Sequence, residues 1–297
     1  MANLLVVDGN SVLNRAFYAT TNLTNGATYG FLNMLFREII ESNATHLAVA
    51  FDVRAKTFRH QIFADYKAGR RPMPDDLAAQ LADTRNLLGI MGIKIFEMAG
   101  FEADDLLGTM ASKASAAGHD VIVMTGDRDM LQLVGERVVV HLCTTNDTQV
   151  YNTGRIRMEY GVTPRQLIDV KALMGDKSDN IPGAKNVGEK TAVALIKDYE
   201  SVEKLLATID RSPFALRASV REKVEACRDI VITSRALAEI KCDVDLDFHI
   251  DKLEFALPLS KEVYEAFKIR NFHSLCRREN LWADGVVQKK PTQQSFF

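Results

Sequence analysis

The chain has 297 residues, of which 47% are hydrophobic, so it can form a sizeable core in one large domain or two smaller ones. Its 37 lysines and arginines against 39 aspartates and glutamates give a formal net charge of −2, which excludes a uniformly basic nucleic-acid-binding sleeve. No apolar run approaches the ~20 residues of a membrane helix and the start lacks a signal-peptide pattern, so we expect a soluble cytoplasmic protein.

The first ~145 residues alternate short apolar runs with helix-periodic stretches, the pattern of βαβ units. The predicted strands are Leu4–Val7, Leu47–Phe51, Ile93–Phe96 and Val121–Met124, and the predicted helices between them include Phe31–Ile40 and Asp75–Met91. We therefore predict an α/β domain over residues 1–160, with a central, mostly parallel twisted sheet flanked by helices.

From Thr163 onward, strands largely disappear from the pattern. The periodic segments are Pro164–Met174, Glu189–Tyr199, Val202–Ile209 and Leu216–Ile240, which predict a helical region over residues 161–282 followed by a flexible tail at 283–297. The four cysteines are widely separated and lack zinc-ligand spacing, so we interpret them as reduced structural thiols: Cys143, Cys227, Cys242 and Cys276.

Carboxylates follow each predicted strand of the first domain. Asp8, Asp52, Glu102 and Asp127 come soon after the four strands, and the ligand crevice of an open α/β sheet lies at the carboxyl ends of its strands. With their neighbours they form a set of nine acids: Asp8, Asp52, Glu102, Asp104, Asp105, Asp127, Asp129, Asp176 and Asp179. Such a hard-oxygen set suits two Mg²⁺ or Mn²⁺ ions that assist phosphoryl displacement. Any single member could instead be a helix cap or a turn former.

A basic segment directly follows Asp52. Its six cations are Arg54, Lys56, Arg59, Lys67, Arg70 and Arg71. A solvated helix face is the general explanation of such a run, but beside a metal site these cations could hold substrate phosphates. Three aromatic residues are interleaved; core packing is the preferred interpretation for Phe58 and Phe63, whereas an exposed aromatic such as Tyr66 could stack on a base.

A glycine-containing hairpin in the second region opens directly into a predicted helix. Gly183 and Gly188 lie in it, and the backbone N–H groups of such a helix start can bind a phosphate without reading a base. Lys185 and Lys190 add positive charge. A nucleotide P-loop is excluded because its lysine would follow the second glycine immediately, whereas an ordinary helix–helix connector remains possible.

In their order these motifs resemble the 5′-nuclease family of flap endonucleases, above all the 5′→3′ exonuclease domains of bacterial DNA polymerase I. The resemblance runs from about residue 3 to about residue 282 and includes Val7-Asp8-Gly9, Phe58-Arg59, Tyr66-Lys67, Phe101-Glu102-Ala103-Asp104-Asp105, Gly126-Asp127-Arg128-Asp129 and Gly175-Asp176 through Ala192. It implies a PIN-like 5′-nuclease fold with a helical arch at about 54–90 and a helix-hairpin-helix element at about 176–199.

The resemblance also implies a function. The protein would be a bacterial, nucleoid-associated enzyme of replication and repair that hydrolyses DNA at 5′ flaps and 5′ ends with two Mg²⁺ ions, Mn²⁺ being a substitute. One ion would be held by Asp8, Asp52, Glu102 and Asp104, and the other, directly or through water, by Asp105, Asp127, Asp129, Asp176 and Asp179. The catalytic cations at the scissile phosphate would be Lys67 and Arg70.

Further contacts and partners are implied in the same way. The DNA-binding residues would be Arg59, Tyr66, Arg71, Gly183, Lys185, Val187, Gly188, Lys190 and Thr191, with a possible K⁺ ion at the hairpin. The substrate would be branched or nicked double-stranded DNA with a 5′ single-stranded flap, bound by a monomer. The tail peptide Gln293–Phe297 resembles sliding-clamp docking peptides, although it could equally be a linker from a longer polymerase.

Two other functions share part of this pattern. A PIN-type metal ribonuclease would have the same acids but no evident need for a basic arch and a duplex-binding hairpin. A non-catalytic module that binds branched DNA would have the same cations but would cut nothing.

Overall fold

The sheet lies in the first half of the chain. A computed structural model describes residues 1–20, 23–144, 147–212 and 216–286. The strands of its sheet are β1 (Asn3–Asp8), β2 (His46–Ala50), β3 (Lys94–Phe96), β4 (Asp120–Thr125), β5 (Val138–Cys143) and β6 (Thr148–Tyr151). They are ordered β3-β2-β1-β4-β5-β6, and all neighbours are parallel except β5 and β6. The predicted α/β class is confirmed, whereas β5 and the polar edge strand β6 were not predicted.

The helices surround this sheet and form the second region. They are α1 (Gly9–Ala19), α2 (Gly26–Ser42), α3 (Phe58–Ile62), α4 (Asp75–Ile90), α5 (Ala103–Ala116), α6 (Thr153–Tyr160), α7 (Gln166–Met174), α8 (Glu189–Tyr199), α9 (Val202–Arg211), α10 (Ala218–Glu225), α11 (Arg228–Ala238), α12 (Lys261–Ile269) and α13 (His273–Cys276). The periodic segment Leu216–Ile240 forms two helices, α10 and α11, which are separated by a turn at Cys227. The sulfur of Cys227 accepts the backbone N–H of Lys185 at 3.5 Å.

Two hydrophobic cores cover the two faces of the sheet. Leu5 and Val7 of β1 pack with α1, α2 and α4, whereas Leu4 and Val6 pack with α5 on the opposite face. Because α4 contributes Leu77, Leu87 and Leu88 to the first core, the last part of the predicted arch at 54–90 packs on the sheet. The exposed part of the basic segment ends at about residue 76, where α4 begins to be buried.

The second region has its own core, but the chain then returns to the sheet. Helices α7 to α11 form a third cluster, whereas Phe267 of α12 and Trp282 belong to the first core beside α2 and α4. The predicted helical region 161–282 therefore contributes to two cores, its own and that of the sheet. Residues 283–286 form a turn next to this core, and the tail peptide Gln293–Phe297 lies outside the described residues. All four cysteines are free thiols, and within the described ranges no helix is long and apolar enough to span a bilayer.

Candidate active site

Acidic side chains from separate elements meet at the carboxyl end of the sheet. Asp8 ends β1, Asp52 follows β2, Asp127 follows β4, and α5 begins directly after Glu102. These four carboxylates and Asp104 line one cavity of about 730 Å³. Parallel strands bring their carboxyl ends to one edge, so residues more than 100 positions apart in sequence become neighbours.

Three of these acids also cap helical turns. Asp8 accepts the backbone N–H of Ser11 at 2.9 Å with one oxygen and the hydroxyl of Thr125 at 2.6 Å with the other. Asp127 accepts the backbone N–H of Asp129 at 2.9 Å, and Glu102 caps α5. A carboxylate has about four acceptor positions, so a single cap leaves oxygen lone pairs facing the cavity. Capping and cation binding are thus compatible here.

The carboxylates of the cavity repel one another. Burial, together with the charges of Asp52 and Asp127, raises the pKa of Asp8 to about 7. Burial and the charges of Asp8 and Asp127 also raise the pKa of Asp104 well above its usual value. Among the described residues, no group of three or more His, Cys, Asp or Glu side chains is arranged so that it could hold a metal ion. The donors instead surround an open cavity, whose oxygen chemistry and uncompensated charge fit divalent cations.

Cations from the basic segment lie at the edge of this cavity. The Lys67 ammonium donates to Glu102 Oε1 at 2.8 Å, and the Arg70 guanidinium donates to Asp179 Oδ1 at 2.6 Å. The backbone N–H of Lys67 donates to the carbonyl of Asp179 at 2.9 Å and holds Lys67 at a φ of 58°, which is uncommon for a residue with a side chain. Arg54 and Arg71 line the same cavity and are exposed.

Arg59 and Asp105 differ from their predicted roles. Arg59 is only 2% exposed and donates to both oxygens of Asp105 at 2.8 Å, so it cannot contact DNA in this structure. The same Asp105 oxygens accept the backbone N–H groups of Glu102 and Lys241 at 3.0 and 2.9 Å. Because all of its oxygens are engaged, Asp105 is not available to ligate a cation. The pair forms because a buried carboxylate needs a counter-charge.

The prediction that Tyr66 stacks on a base is also wrong. Its side chain is 3% exposed, and its hydroxyl lies 3.1 Å from a Glu102 oxygen and 3.2 Å from an Asp179 oxygen. Burial beside these two carboxylates raises the pKa of Tyr66, which therefore remains a hydrogen-bond donor. As expected, Phe58 and Phe63 pack inside, Phe58 against the ring of Phe101 and Phe63 beside Tyr66.

One acid of each region is paired with a lysine that sequence reasoning missed. Lys171 of α7 forms ion pairs with both Asp129 and Asp176. Its hydrogen bond lowers the pKa of Asp176 to about 2 although burial opposes this, whereas burial and the Asp127 charge raise the pKa of Asp129 to about 6. No motif marks Lys171, because it lies in a helix whose periodic pattern indicated core packing.

Helix α1 supplies further residues that the sequence did not single out. Asn10 accepts the backbone N–H of Asp52 at 2.7 Å, and Arg15 donates to the Gly126 carbonyl at 3.2 Å. The position of α1 could have identified them: the helix begins directly after Asp8, so its first turns must lie beside the site.

The hairpin of the second region divides its predicted DNA-binding residues into two groups. Gly175 and Gly183 lie so close together that a Cβ on Gly183 would be 2.3 Å from the Gly175 nitrogen. The Gly183 N–H donates to Ser234 and the N–H of the buried Val187 donates to Ala184, so neither N–H is free for a phosphate, contrary to prediction. The accessible members lie at the start of α8 or beside it: Lys185, Gly188, Lys190 and Thr191.

Comparison with known proteins gives the same family for both regions. Residues 3–161 match the family described as 5′-3′ exonuclease, N-terminal resolvase-like domain, and residues 162–261 match the 5′-3′ exonuclease, C-terminal SAM fold. DNA polymerase I of Caldicellulosiruptor bescii is 37% identical over 98% of the chain, and that of Bacillus subtilis is 39% identical over 93%. The chain covers only 35% and 32% of these relatives, or about a third of their length.

A solved structure shares the fold as well. The bacteriophage T5 flap endonuclease, crystallised with DNA and metal ions, superposes with a TM-score of 0.69 at 19% identity, covering 92% of this chain and 97% of that one. Its low identity makes it a comparison of fold alone. Because the two family matches together span residues 3–261, the chain belongs to the 5′–3′ exonuclease family.

Proposed function

We propose that the protein hydrolyses phosphodiester bonds of DNA at 5′ flaps and 5′ ends with two divalent cations. The observation that carries the proposal is one cavity in which five carboxylates face the cationic side chains of Lys67, Arg70 and Arg71. Membership of the exonuclease family supports it, as does the similarity to a T5 flap endonuclease described with DNA and metal ions.

The carboxylates divide into two candidate cation sites. Asp8, Asp52, Glu102 and Asp104 would hold one ion, whereas Asp127, Asp129, Asp176 and Asp179 would hold the other directly or through water. Their hard-oxygen chemistry favours Mg²⁺, with Mn²⁺ as a substitute. The bound cations would supply Lewis-acid activation of water and neutralise charge at the departing oxygen.

The side chains of the basic segment would orient the substrate. Lys67 and Arg70 now pair with Glu102 and Asp179, and we infer that they turn towards the phosphate when DNA enters. The carboxylates of Glu102 and Asp179 raise the pKa of Lys67 although burial opposes its charge, so the ammonium stays protonated and acts as a fixed positive charge. It would stabilise negative charge that develops on the phosphoryl oxygens.

Replacing Lys67 by alanine should lower kcat by roughly 100- to 1,000-fold, the usual effect of removing one donor from a developing anion. KM should change much less, because the ammonium acts mainly in the transition state. Steady-state cleavage of a 5′-labelled flap measures both constants. Lys56→Ala is the control, since Lys56 is exposed in the same segment and does not line the cavity. A loss confined to KM would contradict the proposed role.

The hairpin would bind the phosphate backbone of the duplex. Gly188 caps the start of α8 and offers no side-chain hydrogen bond, and a Cβ there would meet nothing within 4 Å. A phosphate can therefore approach the N–H groups of the first helical turn, which have no acceptor within the helix. Lys185, Lys190 and Thr191 would add contacts, and a K⁺ ion could bind at the same turn. Such contacts position DNA without reading its sequence.

Lys190→Ala should weaken duplex binding and reduce the slope of log affinity against log salt by about 1, since one phosphate contact is lost. The single-turnover rate of bound substrate should stay close to wild type. Fluorescence anisotropy over a salt series measures this, with Lys197→Ala at the other end of α8 as the control. An unchanged slope would remove Lys190 from the DNA interface.

Product mapping tests the proposed function as a whole. A 5′-flap DNA, a nicked duplex and a single-stranded RNA of matched length are incubated with Mg²⁺ and, separately, with Ca²⁺. We expect Mg²⁺-dependent cutting of the flap near its junction that leaves a 5′-phosphate on the duplex. Faster cutting of RNA would favour the PIN-type ribonuclease, and tight flap binding without any cutting would favour the non-catalytic module.

A further inference from the structure

Part of the cavity wall carries no charge and has no role in the proposed chemistry. Beside the carboxylates and cations, the cavity is lined by Tyr18, Pro72, Met73, Pro74 and Leu81. Tyr18 is 67% exposed and is the only aromatic residue among the described residues that line this cavity. An exposed aromatic ring beside apolar side chains in a DNA-binding cavity is the surface that an unpaired nucleobase would contact.

Tyr18 lies near the end of α1, in line with other residues of the cavity wall. Ser11, Asn14, Arg15 and Tyr18 follow the spacing i, i+3, i+4, i+7, so they form one stripe along the helix. The same four residues and Ala19 line a second depression. Arg15 supplies a positive charge on this stripe, and its buried Nε–H has no hydrogen-bond partner in the part of the chain that the structure describes. Cations interleaved with aromatic rings are typical of surfaces that bind single-stranded nucleic acid.

The position of Tyr18 also sets where it would act. Helix α1 starts directly after Asp8, and ten residues of helix advance about 15 Å. At the ~3.4 Å per nucleotide of duplex DNA, this distance corresponds to about four nucleotides, and a more extended strand crosses it in fewer. Tyr18 would therefore meet a base a few positions from the bond that is cut rather than the reacting phosphate itself.

The ring of Tyr18 contributes little to the packing of the fold. Among the described residues it pairs edge-to-face with Phe17, at 5.3 Å between ring centroids, and 67% of the residue is exposed. The aromatic residue expected to stack from the basic segment, Tyr66, is buried instead. The exposed ring in the cavity thus comes from α1.

We propose that Tyr18 and the adjoining apolar wall form a binding site for an unpaired nucleobase of the DNA strand, with the Tyr18 ring as its stacking surface. The inference rests on the proposed function and deepens it. Because every base has a π-face, the site accepts any sequence, and it selects strands whose bases are unpaired at that position.

The test places the fluorescent base 2-aminopurine at successive positions of the flap substrate and measures binding in EDTA, so that no cleavage occurs. Wild type should quench its fluorescence at one or two adjacent positions, Tyr18→Ala should lose that quenching, and Tyr18→Phe should keep it. Affinity should fall roughly 5- to 150-fold in Tyr18→Ala, which corresponds to stacking worth ~1–3 kcal/mol per base.

An abasic nucleotide at the quenched position completes a double-mutant cycle. It should weaken wild-type binding as much as Tyr18→Ala does, and it should cost the Tyr18→Ala variant little more, because both changes remove one contact. Met158→Ala is the matched control, since Met158 is 82% exposed and lies outside the cavity. Additive losses, or equal quenching by Tyr18→Ala, would overturn this site while flap cleavage by wild type still stands. No flap binding or cleavage by wild type would overturn the proposed function as well.

Discussion

Replacing Asp104 by asparagine should lower the rate of flap cleavage by more than ~100-fold. Mutating a residue that only hydrogen-bonds to a metal ligand commonly lowers activity by about 10- to 100-fold, and the loss of a ligand should have a larger effect. The same change should stabilise the metal-free protein. Burial and the charges of Asp8 and Asp127 raise the pKa of Asp104, so its ionised form destabilises the folded protein. Asparagine carries no charge and removes this repulsion. Opposite effects on activity and stability distinguish a functional carboxylate from a structural one.

Thermal unfolding in EDTA measures the second effect. About 2–4 °C of added Tm is expected for each kcal/mol of repulsion relieved. Because its pKa is raised, folded Asp8 binds its proton more tightly than it does in the unfolded chain. The stability that this proton contributes is present at low pH and is lost as pH rises through about 7. The stabilisation by Asp104→Asn should therefore be greater at pH 8 than at pH 5. A variant that is inactive and also less stable would indicate a structural role for Asp104.

Arg59→Met should lower the free energy of unfolding by about 3–5 kcal/mol, the usual cost of leaving one member of a buried ion pair without its partner. Asp105 is 0% exposed, and Arg59 also donates to the carbonyls of Leu237 and Glu239, both at 2.9 Å. Urea denaturation followed by circular dichroism measures the loss.

Two further variants identify the cause. The double variant Arg59→Met, Asp105→Leu should recover much of the loss, because no buried charge is then left unpaired. Arg137→Met is the surface control, since the Arg137–Asp120 pair is exposed and should contribute at most about 1 kcal/mol. If Arg59→Met costs no more than Arg137→Met, the buried pair does not stabilise the fold as inferred.

Sequence periodicity predicted the elements whose apolar pattern is strong. The parallel strands β1, β2 and β4 stand out because they are buried on both faces, and the acids after them meet because strand ends share an edge. Edge strand β6, Thr148–Tyr151, mixes polar with apolar residues and gave no such signal.

The roles of charged residues were predicted less well, because charge alone does not fix burial. Arg59 and Lys56 look alike in the basic segment, yet one is buried beside Asp105 and the other is exposed. The difference depends on α5 and α11, which pack against α3 from distant parts of the sequence. Lys171 was missed for the same reason, since its partner Asp129 lies 42 residues away.

The contacts of the basic segment connect the two parts of the chain that match separate family models. Lys67 and Arg70, from the first family match, pair with Asp179 of the second, and Arg59 donates to carbonyls at the end of α11. The boundary between the two matches near residue 161 therefore crosses the site itself. Neither part is a transferable module: a gene fusion or recombination event that carried residues 3–161 alone would leave behind Asp179, the acceptor of Arg70, and the two carbonyls that hold Arg59.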